Sequence, residues 1–295
     1  MIDLGEGFRG WAEIIEPKRI FAQFLEPVSS DPANRLGRIG SLEVRLASAK
    51  KEIKRAQRLR YKVFYEEMAA IPDLAARLKR RDKDEFDAIC DHLLVIDHAE
   101  KKPKVVGTYR LLRQDVAAQH HGFYSAREFN IGPMLAAHPG TRFLELGRSC
   151  VAEPYRDKRT VELLWHGIWA YVKRHRIDVM FGCASFAGTD PDALALPLSF
   201  LHHTARADDS FTTFAREERH VSMNRMPLVN LNMKQALHAL PPLIKGYLRL
   251  GARFGDGAVI DHQFGTTDVL VILPVSAINP RYIDYYGADA TRHAA

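Results

Sequence analysis

Phe143–Pro191, FLELGRSCVAEPYRDKRTVELLWHGIWAYVKRHRIDVMFGCASFAGTDP, decides how the rest of the chain is read. Its pattern predicts a strand over Thr141 to Ala152, a sharp connection, a long helix over Lys158 to Arg176 and a second strand over Asp178 to Ser185. The helix carries Val161, Leu164, Trp165, Ile168, Trp169 and Val172 at core spacing. The first strand holds Glu145 and Arg148 inside otherwise apolar sequence. An acid and a base in a buried strand cost free energy unless they are paired or used, so both are candidate site residues. Strand alternation puts 145 and 147 on one face and 148 on the other unless a bulge intervenes.

Working outward, LEVRLAS from Ser41 alternates as a strand, and Ala49 to Met68 reads as a helix ended by Pro72. Asp73 to Arg81 is a short polar helix and Arg81 to Asp91 an acidic loop. His92 to His98 and Val105 to Arg113 form a hairpin. On the other side, Asp192 to Arg206 looks helical and Arg216 to Asn230 is a polar loop. Met233 to Leu250 is helical, interrupted by Pro241-Pro242. Val259 to Phe264 and Asp268 to Val275 are closing strands. This order predicts an α+β domain around one mixed central sheet flanked by helices. A GxGxxG loop with long βαβ alternation is absent, which disfavours a dinucleotide fold. Residues 1–38 are expected to form a partly helical arm, with Trp11, Phe21 and Phe24 on an apolar face, and 39–295 a single domain.

The chain has 295 residues, 46% of them hydrophobic and 26% charged, which is ordinary globular material. It shows no transmembrane run and no signal-peptide pattern at its start, so a cytoplasmic protein, peripheral to a membrane at most, is expected. Its three cysteines form no CxxC pair, so neither a disulfide framework nor a zinc site is expected. The net charge of +6 is concentrated in Lys79-Arg80-Arg81, Arg156-Asp157-Lys158-Arg159 and Lys173-Arg174-His175-Arg176. These are either solvated helix ends or a surface for phosphate, acidic protein or anionic lipid. No nucleic-acid motif accompanies them.

Six motifs occurring together and in order carry a family resemblance: LRYKVFYEEM (Leu59–Met68), DEFDAICDHLLVID (Asp84–Asp97), VVGTYRLLR (Val105–Arg113), FLELGRSCV, FGCASFAGTDP and DHQFGTTDVLVILPV (Asp261–Val275). The chain resembles the N-acetyltransferase-like (GNAT) superfamily and, within it, the ornithine lipid-forming N-acyltransferases. Acyl-homoserine-lactone synthases share the general layout. The resemblance implies an acyltransferase that needs no cofactor. Acyl carrier protein would be the co-substrate, L-ornithine the acceptor, a lyso-ornithine lipid the product, and the inner-membrane surface a place of work. Ordinary acetyltransferases have a glycine-rich pyrophosphate loop; here the corresponding run, Arg156-Asp157-Lys158-Arg159-Thr160-Val161, lacks its glycines. Backbone amides then approach a diphosphate less closely. That favours a phosphopantetheine arm held by Arg156, Lys158 and Arg159 over coenzyme A.

N-acylation of an amine calls for a general base, stabilisation of the oxyanion and a leaving thiolate. Glu145 is the candidate base, since burial raises a carboxylate's pKa; a structural ion pair with Arg148 is the other reading. Amides near Ser149 and Cys150, on a strand commonly bulged in this superfamily, would hold the oxyanion. Asp84 and Asp87 suit a diamine's second cation, or are solvated loop charges. Arg60, on a face with Phe64, and Arg110 suit the acceptor's carboxylate, or are structural pairs. Phe181, Phe186, Leu198, Phe200 and Leu201 line an acyl tunnel or are ordinary core. Asp261-His262 is catalytic or a satisfied pair. The HxxxxD spacings of His203/Asp208 and His92/Asp97 are weak signals. Ser185 is not in a nucleophile elbow. An acyl-homoserine-lactone synthase-like enzyme and a non-catalytic carrier- or membrane-binding module remain as alternatives.

Overall fold

The computed structural model describes residues 34–279. In chain order the strands are β1 (Arg35–Ile39), β2 (Leu42–Leu46), β3 (Asp91–Asp97), β4 (Lys104–Arg113), β5 (Phe129–Asn130), β6 (Phe143–Val151), β7 (Val179–Ala187), β8 (Phe214–Ala215), β9 (His220–Val221), β10 (Arg253–Asp261) and β11 (Thr266–Pro274). The helices are α1 (Lys50–Tyr61), α2 (Leu74–Lys79), α3 (Gln114–Ala117), α4 (Gly132–Ala137), α5 (Lys158–His175), α6 (Ala195–Ala205), α7 (Met233–Ala239) and α8 (Pro242–Leu250). The described chain separates into two compact units, one of residues 34–112, 146–176 and 279, the other of residues 113–145 and 177–278. No described helix is long and apolar enough to cross a membrane.

In the first unit β1, β2, β3 and β4 pair antiparallel in that order. Strand β1 begins at Arg35, inside the stretch expected to belong to the arm; the amphipathic segment Phe8 to Leu25 lies outside the described residues. Helix α5 lies on β1, β2 and β3. It starts at Asp157, whose side chain accepts the Thr160 amide at 2.9 Å, and stops at Arg176, which turns left-handed at φ 51°. Gly167 sets the depth of packing: a Cβ there would meet Val44 Cγ2 at 2.6 Å and Leu93 Cδ1 at 3.1 Å. Helix α1 loses its α period at Tyr61, and Lys62–Glu67 continues as a π-helix. The expected acidic loop contains a 3-10 turn, Glu85–Ala88, closed by a capping box between Asp84 and Asp87.

In the second unit Phe143, Leu144 and Glu145 of β6 pair parallel with β7. Antiparallel β11 follows, in register from Thr266↔Ala187 to Pro274↔Val179, and then β10. Parallel and antiparallel pairing meet at β7, giving the mixed sheet that the sequence predicts. The β10–β11 turn is fixed by Asp261, whose Oδ1 accepts the amides of Gln263 and Phe264 at 2.8 and 3.0 Å, and by Gly265 at φ 64°. The Pro241-Pro242 break separates α7 from α8.

The register assigns side chains to faces, because directly paired residues and residues two apart share one. Glu145 is paired with Phe181, Cys183 with Leu270, Ser185 with Asp268, Ala187 with Thr266 and Thr266 with Asp261. Glu145, Cys183, Ser185, Thr266, Asp268 and Asp261 therefore stand on the same face of this sheet.

Candidate functional site

Each unit carries a cluster of charged residues that its burial would forbid unless it were paired or functional. In the first unit the Arg60 side chain, fully buried, reaches from α1 to the acidic turn. Its Nε donates to Asp82 Oδ2 at 2.7 Å and its Nη2 to the Asp82 carbonyl at 2.7 Å and Asp87 Oδ1 at 2.8 Å. Asp87 also accepts from Gln57 Nε2 at 3.2 Å and from the Asp84 amide at 3.1 Å. Arg110 on β4 donates to Asp84 Oδ1 at 2.5 Å. Arg148 lies 3.4 Å from Asp82 Oδ2 and 3.7 Å from Asp84 Oδ2. Burial alone would push the Asp84 carboxyl up, but the combined pull of Arg110, Arg148 and Arg60 carries it below the usual range.

Three guanidinium groups thus face three carboxylates. Arg60 and Arg110 both contact Asp87, the ion-pair alternative read from the sequence. The carboxylates of Asp84 and Asp87 are paired with Arg110, Arg148 and Arg60 in this network. Arg148 and Asp84, with side chains 16% and 20% exposed, are where the network meets solvent. The Arg148 backbone is left-handed at φ 50°, the kind of local distortion that breaks strand alternation. Phe64 packs beside Leu59, Val63 and Cys150. The Cys150 thiol is pushed up to about 12 by burial, which removes it as a nucleophile. The Ser149 hydroxyl is buried without a hydrogen-bond partner.

Of the basic run before α5, Arg156 is paired with Glu67 and donates to the Val151 carbonyl at 3.1 Å. Lys158 lies 3.7 Å from Glu162. Arg159 is exposed, its guanidinium close beside Gly40. The amide end of α5 is occupied by the carboxylate of Asp157 itself.

In the second unit Glu145 is 5% exposed. Its Oε2 accepts the Tyr124 amide at 2.8 Å and its Oε1 the Ser125 amide at 2.6 Å. The carboxylate is held from both sides by the turn Tyr124–Arg127. From Ser125 a polar line continues along the sheet face. The Cys183 sulfur lies 3.5 Å from Ser125 Oγ and 3.4 Å from Glu128 Oε2, and Arg219 Nη1 lies 3.5 Å from Glu128 Oε1. Glu128, Asp261 and Asp268 are buried, with ligand-capable atoms within 4.8 Å of one another, the one set among the described residues with metal-binding spacing. Burial first, then the charge of Asp268, pushes the Glu128 carboxyl up to about 7.

Glu128 went unread in the sequence because FYSAREFNIG has no periodicity. Asp268 carried a usable signal, an acid inside the apolar strand TTDVLVILP, the same signal that singled out Glu145. Phe181, Phe186, Leu198 and Leu201 are buried core. His203 bonds to the Met226 carbonyl and Asp208 to Ser210, while His92 bonds to the Asp87 carbonyl and Asp97 to Ala99 and Tyr155. Neither HxxxxD pair is joined by these bonds.

The raised Glu128 carboxyl has a stability consequence. Its native pKa exceeds the unfolded value of about 4.3, so its ionisation penalises folding as pH rises from about 4 through 7. Glu128→Gln is expected to be more stable than the parent protein at pH 8 by about 2–3 kcal/mol, with the gap closing near pH 4. Urea unfolding at the two pH values checks this; a pH-independent difference would rule it out.

A family model described as an acetyltransferase (GNAT) domain matches residues 59–166. Among solved structures the chain is similar to FeeM, an N-acyl amino acid synthase from uncultured soil microbes, at 11% identity and a TM-score of 0.44, covering 80% of this chain and 91% of that one. It is 55% identical over 277 residues to the L-ornithine N(alpha)-acyltransferase of Rhizobium meliloti (strain 1021), covering 93% of this chain and 94% of the relative. With the protein of the same name from Brucella abortus (strain 2308) it shares 56% over 267 residues, covering 90% and 95%. At that identity and coverage, the chain belongs to the L-ornithine N(alpha)-acyltransferase family and is an acyltransferase of the GNAT fold.

Proposed function

We propose that the chain transfers a 3-hydroxyacyl group from acyl carrier protein to the α-amine of L-ornithine, forming lyso-ornithine lipid. Acceptor and bond come from the name shared by its relatives. The structural observation that carries the reading is Glu145, a buried carboxylate aimed by two backbone amides. The amine nitrogen attacks the thioester carbonyl, the C–N bond forms and the C–S bond breaks. The proton released by the amine passes to Glu145 and from there to the departing thiolate, so the carrier's thiol is regenerated and Glu145 returns to its ionised form. The thioester supplies the driving force, so the balance closes without a cofactor.

The carrier-protein donor is supported by the start of α5. Arg159 and Val161 stand where a diphosphate loop needs glycine, and Asp157 already caps the helix. The basic residues Arg156, Lys158 and Arg159 suit the acidic surface of a carrier protein. Because the product is amphiphilic, release at the inner-membrane surface fits the reaction.

The test is an end-point assay with 3-hydroxyacyl carrier protein, the matching acyl-CoA and radiolabelled ornithine. Label in the organic phase is expected with the carrier protein and not with acyl-CoA. Transfer from acyl-CoA at an equal rate would overturn the donor assignment. Transfer to S-adenosylmethionine in place of ornithine would overturn the acceptor.

A further inference from the structure

The second unit has a surface that the reaction as described leaves unused. From Arg219 to Gly255 the sequence holds Arg219, Arg225, Lys234, Lys245, Arg249 and Arg253 and no aspartate or glutamate. Arg219 lies 3.5 Å from Glu128, and Arg225 is paired with Asp192. Lys245 donates to the His238 carbonyl at 2.7 Å and Arg253 to the Thr204 carbonyl at 3.3 Å, contacts that bring no negative charge. Lys234 is exposed. In the same stretch Leu228, Val229, Met233 and Leu237 are 52%, 92%, 46% and 47% exposed. They are four of the nine large apolar side chains exposed among the described residues. A single one needs no explanation, whereas a group gathered within 228–237 and rimmed by charge marks a contact surface.

This surface is held in shape from beneath. Ser199 Oγ on α6 accepts the Arg225 and Met226 amides at 3.0 and 2.9 Å, and the turn Leu228–Asn230 and α7 both pack on α6. Leu231, Ala236 and Leu240 are buried, so the segment is anchored on one side while the other faces out. Met233 and Leu237, one turn apart on α7, share the outward face. Asn232 caps that helix by accepting the Gln235 amide at 3.0 Å.

We propose that Leu228, Val229, Met233 and Leu237, with Lys234 among them, dock the protein on an anionic lipid surface. The inference gives residues to the membrane-surface release proposed above, and its test needs no turnover, so it stands or falls apart from the donor and acceptor readings. An anionic bilayer presents negative head groups next to acyl chains. The Lys234 stem lies along the apolar patch while its ammonium reaches the head groups, and the four apolar side chains enter the boundary below them. A second copy of the chain would set the same acid-free surface against itself. An acidic carrier protein answers the charge but offers a charged surface to the four apolar side chains.

Co-sedimentation of the full chain with vesicles of phosphatidylcholine, or of phosphatidylcholine and phosphatidylglycerol in equal parts, tests the assignment. Binding to the mixed vesicles is expected, weaker by about 10-fold on pure phosphatidylcholine and weakened by added salt. In Leu228→Ser/Val229→Ser the partition coefficient for mixed vesicles should drop about 10–100-fold, and in Lys234→Glu about 10-fold. All three positions are exposed, so both variants should keep the parent's melting temperature. Vesicle binding by folded Leu228→Ser/Val229→Ser equal to the parent's overturns the assignment. So does equal binding of the parent to both kinds of vesicle, or binding to neither. A parent that elutes as a dimer and variants that elute as monomers would make the patch an interface between copies instead. Loss of acyl carrier protein binding in calorimetric titration of the variants would make it the carrier's surface, and either result overturns the lipid assignment.

Discussion

Replacing Arg60 with alanine is expected to lower the free energy of unfolding by about 3–5 kcal/mol, the largest single effect in the first unit. The guanidinium joins α1 to the turn that carries Asp82 and Asp87, with three hydrogen bonds of 2.7 to 2.8 Å and no exposure to water. Removing it strands two buried carboxylates, whose desolvation is no longer offset. Arg60→Lys is expected to rescue little, because one ammonium cannot reproduce the planar fork that contacts both acids. In a double-mutant cycle with Asp82→Asn the combined loss should fall short of the sum by about 1–3 kcal/mol, read from urea unfolding midpoints. Additive losses would show that the two residues act independently, against the geometry. Acid should weaken the same network, because a carboxyl held below its unfolded value, as Asp84 is, contributes stability that is lost as pH falls.

Glu145→Gln is expected to reduce kcat/KM for acyl transfer by about 10²–10⁴. Gln keeps the shape but cannot accept a proton, and its amide nitrogen would oppose one of the two backbone N–H groups at Tyr124 and Ser125. A stability loss of about 1–3 kcal/mol accompanies that mismatch. The pH–rate profile distinguishes the two effects. A base leaves its ionisation on the rising limb of kcat/KM, and that limb should vanish in the variant while the limb set by the acceptor amine remains. If activity instead declines only in step with the folded fraction, Glu145 is an anchor for the 124–127 turn and the base lies elsewhere.

The parts of the fold legible in the sequence are those where periodicity and punctuation agree. Asp157 before VELLWHGIWAYV marks α5, and alternating or continuous apolar runs mark β3, β4, β7 and β11. Pro241-Pro242 separates α7 from α8. Where side chains interrupt the period, reading failed. RLGRI of β1 sets Arg35 and Arg38 around Leu36-Gly37 and reads as the end of the arm. The π-helix at Lys62–Glu67 begins without any change in residue type. The site divides on the same line. Glu145 and Arg148 stand out as charges inside an apolar strand. What their neighbours do depends on contacts far apart in sequence: Arg60 with Asp82 and Asp87, and Glu128 with Asp268. Local pattern supplies the residue types, but only the fold brings these distant acids and bases together.

The carboxylate at the start of α5 also bears on how the protein behaves in a solution crowded with phosphate esters. A long helix whose first amides point outward is a general collector of anions. Here Asp157 accepts the Thr160 amide, and being part of the chain it competes without the entropic cost that a dissolved anion meets on binding. A dissolved phosphate ester therefore finds one of those amides already taken by the chain itself.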